Sequence, residues 1–343
     1  MSESPSTAAE APATTGQQTV SGSGEPKFRL GLGHSLGLVL ALVALLVVGV
    51  ATSGERFVGL DNIMVILRQA AVIGVVSIGV TFVITAGGID LSVGSVLGLS
   101  TVWASTVATQ TMAEDVHWIV LVACAPAVGT VCGLVNGFLV AYGGVVSFIA
   151  TLAMLVAARG LAEIISDRQT QIVSVQGFLD VFRGNLLGVP VLVWVFVIVA
   201  VAGWFLLART TFGRRTIAVG GNPEAARLAG IKVRRHTVWV FGISGLCAGI
   251  GAVLMLARTT AGTSTHGYLL ELDAIAAVVI GGTLLAGGRG SIVGTVLGVL
   301  IFAVLQNLFT QNNLDSSVQA VTRGAIIVLA VILQRRFSSA RRT

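Results

Sequence analysis

The 343-residue chain is 55% hydrophobic and only 10% charged, with a mean hydropathy of +0.93. A soluble domain carries about 25% charged residues, so a soluble enzyme or binding domain is excluded and an all-α, polytopic membrane protein is indicated. The net charge of +6 does not signal nucleic-acid binding, because the basic residues sort by side of the membrane.

Residues 1–26 are rich in Ser, Thr, Ala, Glu, Gly and Pro and nearly free of large apolar side chains. That composition predicts a disordered tail. No basic segment leads into a short apolar core with a cleavage site, so the N-terminus is expected to be retained. A membrane-crossing helix needs about 20 apolar residues. On that measure the expected spans are 35–52, 64–86, 92–110, 118–142, 147–165, 189–208, 237–257, 271–286, 292–310 and 317–334, ten in all. The divisions around Gly87-Gly88, Gly143-Gly144 and Gly287-Gly288 read equally as tight turns or broken helices. Cys124, Cys132 and Cys247 each sit alone in apolar stretches and read as small buried hydrophobes.

Lys and Arg set the orientation. The segment 209–235 holds Arg209, Arg214, Arg215, Arg227, Lys232, Arg234 and Arg235. The C-terminal end adds Arg335, Arg336, Arg341 and Arg342, and the N-terminal arm adds Lys27 and Arg29. Even numbers of expected spans separate these three regions, which places them on one side, the cytoplasm. Both termini are then cytoplasmic. The opposite loops hold Arg56, Arg168, Arg183 and Arg258 among a majority of acids.

Within 209–235 lies a short polar insert, residues 220–231, that predicts a self-capped helix. Asn222 suits the N-cap and Pro223 the first helical position. Glu224 falls in the first turn, where the helix dipole favours an anion, and Gly230 falls where a helix stops. Ala225 and Ala226 allow close approach, and Glu224 and Arg227, three apart, are available for polar contacts. Such a helix offers a grip for a soluble partner; the bland alternative is a basic loop serving topology alone.

No enzyme motif is present. The run 287–294 lacks the Lys-Ser/Thr ending of a phosphate-binding loop and follows no strand. His34, His117, His236 and His266 are scattered and read as interfacial histidines. Asp90, after Gly87-Gly88 at the cytoplasmic end of the second span, reads either as a gate carboxylate or as a cap of the third helix, where Ser92 begins. Residues 86–98 and 286–298 align without gaps at an offset of 200, with eight of 13 positions identical. This is either an internal repeat framing a pathway or two Gly-rich helix starts under one packing demand. Thr81, Thr85, Asn136, Gln306 and Asn307 are candidates for a polar path through the spans, with interhelical hydrogen bonding as the other use. Arg68, Arg159, Glu163 and Arg323 fall in the outer thirds of spans, within reach of the interface, and Arg159 and Glu163 are spaced to pair. No acid is expected at mid-membrane.

Three ordered blocks carry a resemblance: 85–95 (TAGGIDLSVGS), 221–231 (GNPEAARLAGI) and 281–295 (GGTLLAGGRGSIVGT). Together they resemble the permease subunits of ribose-type ABC importers, over residues 30–337. The resemblance implies a permease domain over 27–337, flanked by the 1–26 tail and a basic tail at 338–343. It implies a second permease subunit, either a copy or a relative, and a cytoplasmic ATPase with two nucleotide-binding halves that uses ATP and Mg. It also implies an extracytoplasmic sugar-binding protein, a bacterial plasma (inner) membrane location, and no cofactor in this chain. Asn222, Pro223, Glu224, Ala225, Ala226, Arg227 and Gly230 match the coupling helix of that family. The expected substrate is ribose or another monosaccharide such as xylose, arabinose or galactose. Nucleosides or a signalling sugar derivative remain alternatives, as do an ion-coupled secondary transporter and a passive facilitator.

Overall fold

The computed structural model describes residues 30–315, 317–326 and 328. The 1–26 tail, Lys27, Arg29 and the four C-terminal arginines lie outside the described residues. The chain runs α1 (Leu30–Ser53), α2 (Glu55–Val58), α3 (Leu60–Thr85), α4 (Val93–Ala104), α5 (Val107–Asp115), α6 (Ile119–Ala141) and α7 (Ser147–Ser166). Then follow β1 (Gln171–Ile172), α8 (Gln176–Phe182), β2 (Asn185–Leu186), β3 (Val189–Pro190), α9 (Val191–Arg209), α10 (Thr211–Gly221) and α11 (Pro223–Leu228). Last come α12 (Val233–Thr259), β4 (Ala261–Gly262), α13 (Leu270–Ile280) and α14 (Ile292–Gln311). Residues 317–326 are helical; the rest of the expected tenth span, apart from residue 328, lies outside the described residues.

Among the described residues, seven helices are long and apolar enough to cross a bilayer: α1, α3, α6, α7, α9, α12 and α14. Two expected spans differ. Residues 92–110 form α4, of 12 residues, and the separate α5. A 12-residue helix rises about 18 Å, short of a hydrocarbon core of about 30 Å. The break has a local cause: Ser105 Oγ turns back to the Thr101 carbonyl at 2.8 Å. Thr106 then caps α5 by accepting from the Thr109 amide at 3.3 Å. Residues 271–286 likewise contain only the 11-residue α13, which starts after Leu269 at φ 60° and stops before Gly282 at φ 87°.

Helices α3, α12 and α14 are mostly buried, whereas α1, α7 and α9 keep apolar side chains such as Leu40, Ile164 and Ile198 on the outside, where lipid is the apolar partner. Helices α6 and α12 meet through glycine. Gly129, Gly133 and Gly137, spaced by four, lie against the backbone of Val238, Phe241, Gly245 and Gly249 with no room for a Cβ. That is the small-residue packing of membrane helices. At the end of α12 away from α11, β1 pairs with β4 and β2 with β3, each antiparallel.

Candidate coupling and translocation site

The insert folds as its residues dictate. Asn222 Oδ1 accepts from the amides of Glu224 (3.1 Å) and Ala225 (3.0 Å), which closes the start of α11, with Pro223 at its first position. Gly230 takes φ 82° just past the helix end. Arg227 Nη2 donates to Glu224 Oε1 at 2.6 Å, with both side chains exposed. That bond and the guanidinium charge hold the Glu224 carboxyl below its ordinary value. Two details depart from the sequence reading. Ala226 is buried against the protein, so Ala225 alone of the alanine pair faces outward. Leu228, which the sequence did not single out, is 76% exposed. The segment 209–235 is also more ordered than a loop, because α10 precedes α11 and Asn222 is their hinge.

The last turn of α10 reaches the two echoing motifs. Gly220 lies against the Thr85 carbonyl at the end of α3, and a Cβ there would also lie 2.6 Å from the Gly288 amide. The Gly288 amide donates to the same Thr85 carbonyl at 2.9 Å. Gly287 sits on Gly87 and Gly220, and Gly290 sits on Thr85 Oγ1. Residues 86–98 and 286–298 thus share one junction. Gly287 and Gly288 have φ of 82° and 76°, a conformation that only glycine adopts without strain. The flanking helices are unequal, long α3 then short α4 in one copy and short α13 then long α14 in the other.

From the junction the chain turns back into the bundle and brings Asp90 inward. Asp90 Oδ1 accepts from the Ser92 amide (3.0 Å) and hydroxyl (2.7 Å), and Oδ2 accepts from the Ser244 hydroxyl at 2.8 Å. Asn136 Nδ2 donates to Ser92 Oγ at 2.9 Å. Asp90 is buried, and Ser244 lies eleven residues into α12, about 16 Å along its axis. Asp90 is therefore deep in the bundle and not at the end of the second span. The physical reason is that the chain turns at Ala86–Gly87 and the irregular segment after it runs beside the start of α7: the Ile89 amide donates to Ser147 Oγ and its carbonyl accepts from Thr151 Oγ1, each at 3.2 Å. Asp90 binds the N–H of Ser92, the residue before α4, and not the free amides of the first turn.

Thr81 and Thr85 bond between and within helices. Thr81 Oγ1 lies 2.8 Å from Thr295 Oγ1, joining α3 to α14, and Thr85 Oγ1 donates to the Thr81 carbonyl at 2.6 Å. Gln306 and Asn307 belong to a second polar cluster, about 21 Å along α14 from the junction. Gln306 Nε2 donates to Asp273 Oδ2 at 3.0 Å and also bonds Gln69; Arg323 lies 3.5 Å from the same Asp273 oxygen. Asn307 and Asn62 donate to each other, at 2.8 and 3.1 Å. Ser244, Asn62, Gln69, Glu271 and Asp273 were not singled out by sequence; the two acids at the start of an apolar run were the available signal. Asp90, Glu271 and Asp273 are all buried inside the bundle. Arg159 does not pair with Glu163. It donates to the carbonyls of Ser264 and His266, and Glu163 meets Arg168 at 3.4 Å.

A bundle of apolar membrane-length helices, with an exposed capped helix tied to its internal loops, defines a multi-pass membrane transport subunit. The chain belongs to the family described as branched-chain amino acid transport system / permease component, whose model matches residues 62–331. It is 40% identical to the ribose import permease protein RbsC of Bacillus subtilis over 90% of this chain and 95% of that protein. It is 38% identical to the protein of the same name from Escherichia coli K12, over 87% and 92%. It is also 38% identical to the L-arabinose ABC transporter permease protein AraH of Azospirillum brasilense, over 82% of each chain. No solved structure matches the chain. The family is one of bacterial inner-membrane permease components, which are transport subunits.

Proposed function

We propose that this chain is the membrane permease of a monosaccharide ABC importer, driven through α11 by a separate ATPase that uses ATP and Mg. The relatives that import ribose and arabinose, matched over nearly their whole length, support the substrate class. The mechanism rests on one observation, the seating of Gly220 on the Thr85 carbonyl beside Gly288. The ATPase grips the exposed face of α11 formed by Glu224, Ala225, Arg227 and Leu228. Motion of α11 passes through Asn222 into α10, and Gly220 presses on the loops that carry α4 and α13. Interiors are close-packed, so a displaced backbone contact moves its neighbours. Those two half-length helices are the parts of the bundle that can shift without tearing a full membrane-length helix.

In the proposed topology α11 and the glycine junction face the cytoplasm, where the Lys and Arg residues concentrate. The chain crosses the membrane ten times within a permease domain of 27–337, and the α4 and α13 passes are completed by non-helical segments. The amides around Gln306 and Asn307 suit a neutral sugar, which needs hydrogen-bond partners and no counter-charge. The buried acids argue for structure over ion coupling, since Asp90 bonds two serines and Asp273 bonds Gln306 and Arg323. A binding protein delivers the sugar from outside, and a second permease subunit completes the pathway. The test is uptake of labelled ribose or arabinose into vesicles, with the ATPase, the binding protein and ATP added or omitted one at a time. Uptake that continues without the ATPase would refute the proposal.

A further inference from the structure

At the end of the bundle away from α11, a cavity of about 260 Å³ is lined by Arg68 of α3, Arg183 just after α8 and Arg258 near the end of α12. Its walls include Val65, Phe182 and Leu192, and none of its lining side chains is acidic. None of the three guanidinium groups forms an ion pair among the described residues. Arg183 also borders an adjoining open cavity with Asp180, three residues away, without pairing with it. Three unpaired guanidinium groups thus border one partly apolar cavity with no carboxylate in its lining, Arg68 half-buried and Arg183 and Arg258 exposed. This end is also where the sequence places few basic residues, so topology gives no reason for them to gather. An anion in the cavity gives one.

We propose that this cavity binds a phosphate-bearing anion. Planar guanidinium groups give bidentate hydrogen bonds to phosphate oxygens. The wall residue Val65 is 46% exposed at the perimeter and neighbouring Val181 is 41% exposed, so the cavity opens beside apolar surface. That setting suits the headgroup of an anionic phospholipid whose chains lie along the bundle; free phosphate shares the same chemistry.

The test uses the purified full chain in detergent, at low salt, titrated with phosphatidylglycerol, phosphatidylcholine or sodium phosphate while thermal unfolding is followed. Phosphatidylglycerol should raise the melting temperature saturably, and phosphatidylcholine should not. Its half-saturating concentration should rise at least about tenfold in R68Q/R183Q/R258Q and stay unchanged in R56Q/R168Q. If the triple variant does not fold, R183Q alone, at an exposed position, should still weaken the response. Sodium phosphate acting on the wild type and not on the triple variant would support the site with a soluble anion as its ligand. Equal responses of wild type and arginine variants, equal effects of the two lipids, or no saturable response to phosphatidylglycerol or phosphate would overturn it.

Discussion

The Gly288 amide donates to the Thr85 carbonyl at 2.9 Å, so the end of α3 is bonded directly to the loop that leads into α14. Gly220 at the end of α10 packs onto the same carbonyl. One oxygen thus joins the two echoing motifs to the segment that holds α11.

Gly220→Ala places a methyl where the Thr85 carbonyl now sits. The backbone must part there, at a cost of about 1–3 kcal/mol. ATPase capture should persist, because α11 is unchanged, while ATP-driven uptake falls severalfold or more. Gly230→Ala is the control. It strains a glycine of positive φ with open space around it, and should lower stability without selectively uncoupling transport.

Glu224→Arg sets two cations side by side on the exposed face of α11. Capture of the ATPase in a pull-down should weaken, or ATP hydrolysis should run without transport, with membrane insertion intact. Unchanged capture and transport would argue against docking at α11.

The same pair makes a pH prediction. Arg227 holds the Glu224 carboxyl below its ordinary value, so the ion pair persists above the carboxylate range and is lost as pH falls through that lowered value. Capture should therefore be flat between about pH 6 and pH 8. A strong dependence in that window would point to another group.

Asp90→Ala strands the hydroxyls of Ser92 and Ser244 in the core, and buried unsatisfied groups cost about 1–3 kcal/mol each. Asp90→Asn keeps the size and one acceptor. The alanine variant should melt well below wild type and transport poorly, and the asparagine variant should lie between. An asparagine variant that folds like wild type yet transports nothing would show that the charge itself is used.

Asn62 and Asn307 bond each other, and Asn62 also accepts from Gln311 and donates to the Phe57 carbonyl at 2.8 Å. Either single leucine substitution should destabilise by about 1–3 kcal/mol, and the double substitution by less than the sum. Thermal unfolding of the four species checks it.

Much of this was legible in the sequence. Asn222, Pro223 and Gly230 act on their own neighbours, so α11 could be read residue by residue. Long apolar runs likewise gave α1, α9 and α12. The half-length α4 and α13 were not legible, because hydropathy averages over a window and a break at Ser105–Thr106 or Gly281–Gly282 leaves the average apolar. The burial of Asp90 was hidden for a related reason: its partner Ser244 is 154 positions away, Asn136 is 44 positions from the Ser92 hydroxyl it bonds, and only packing brings them together. The echo at offset 200 was visible, but not that Gly220 would sit against both copies.

The most direct measurement is uptake of a labelled monosaccharide by vesicles holding this chain, its ATPase partner and the binding protein. Uptake that requires ATP and all three proteins, and collapses in Gly220→Ala while the ATPase stays bound, is the predicted result. Uptake by this chain alone under a proton or sodium gradient would contradict the account.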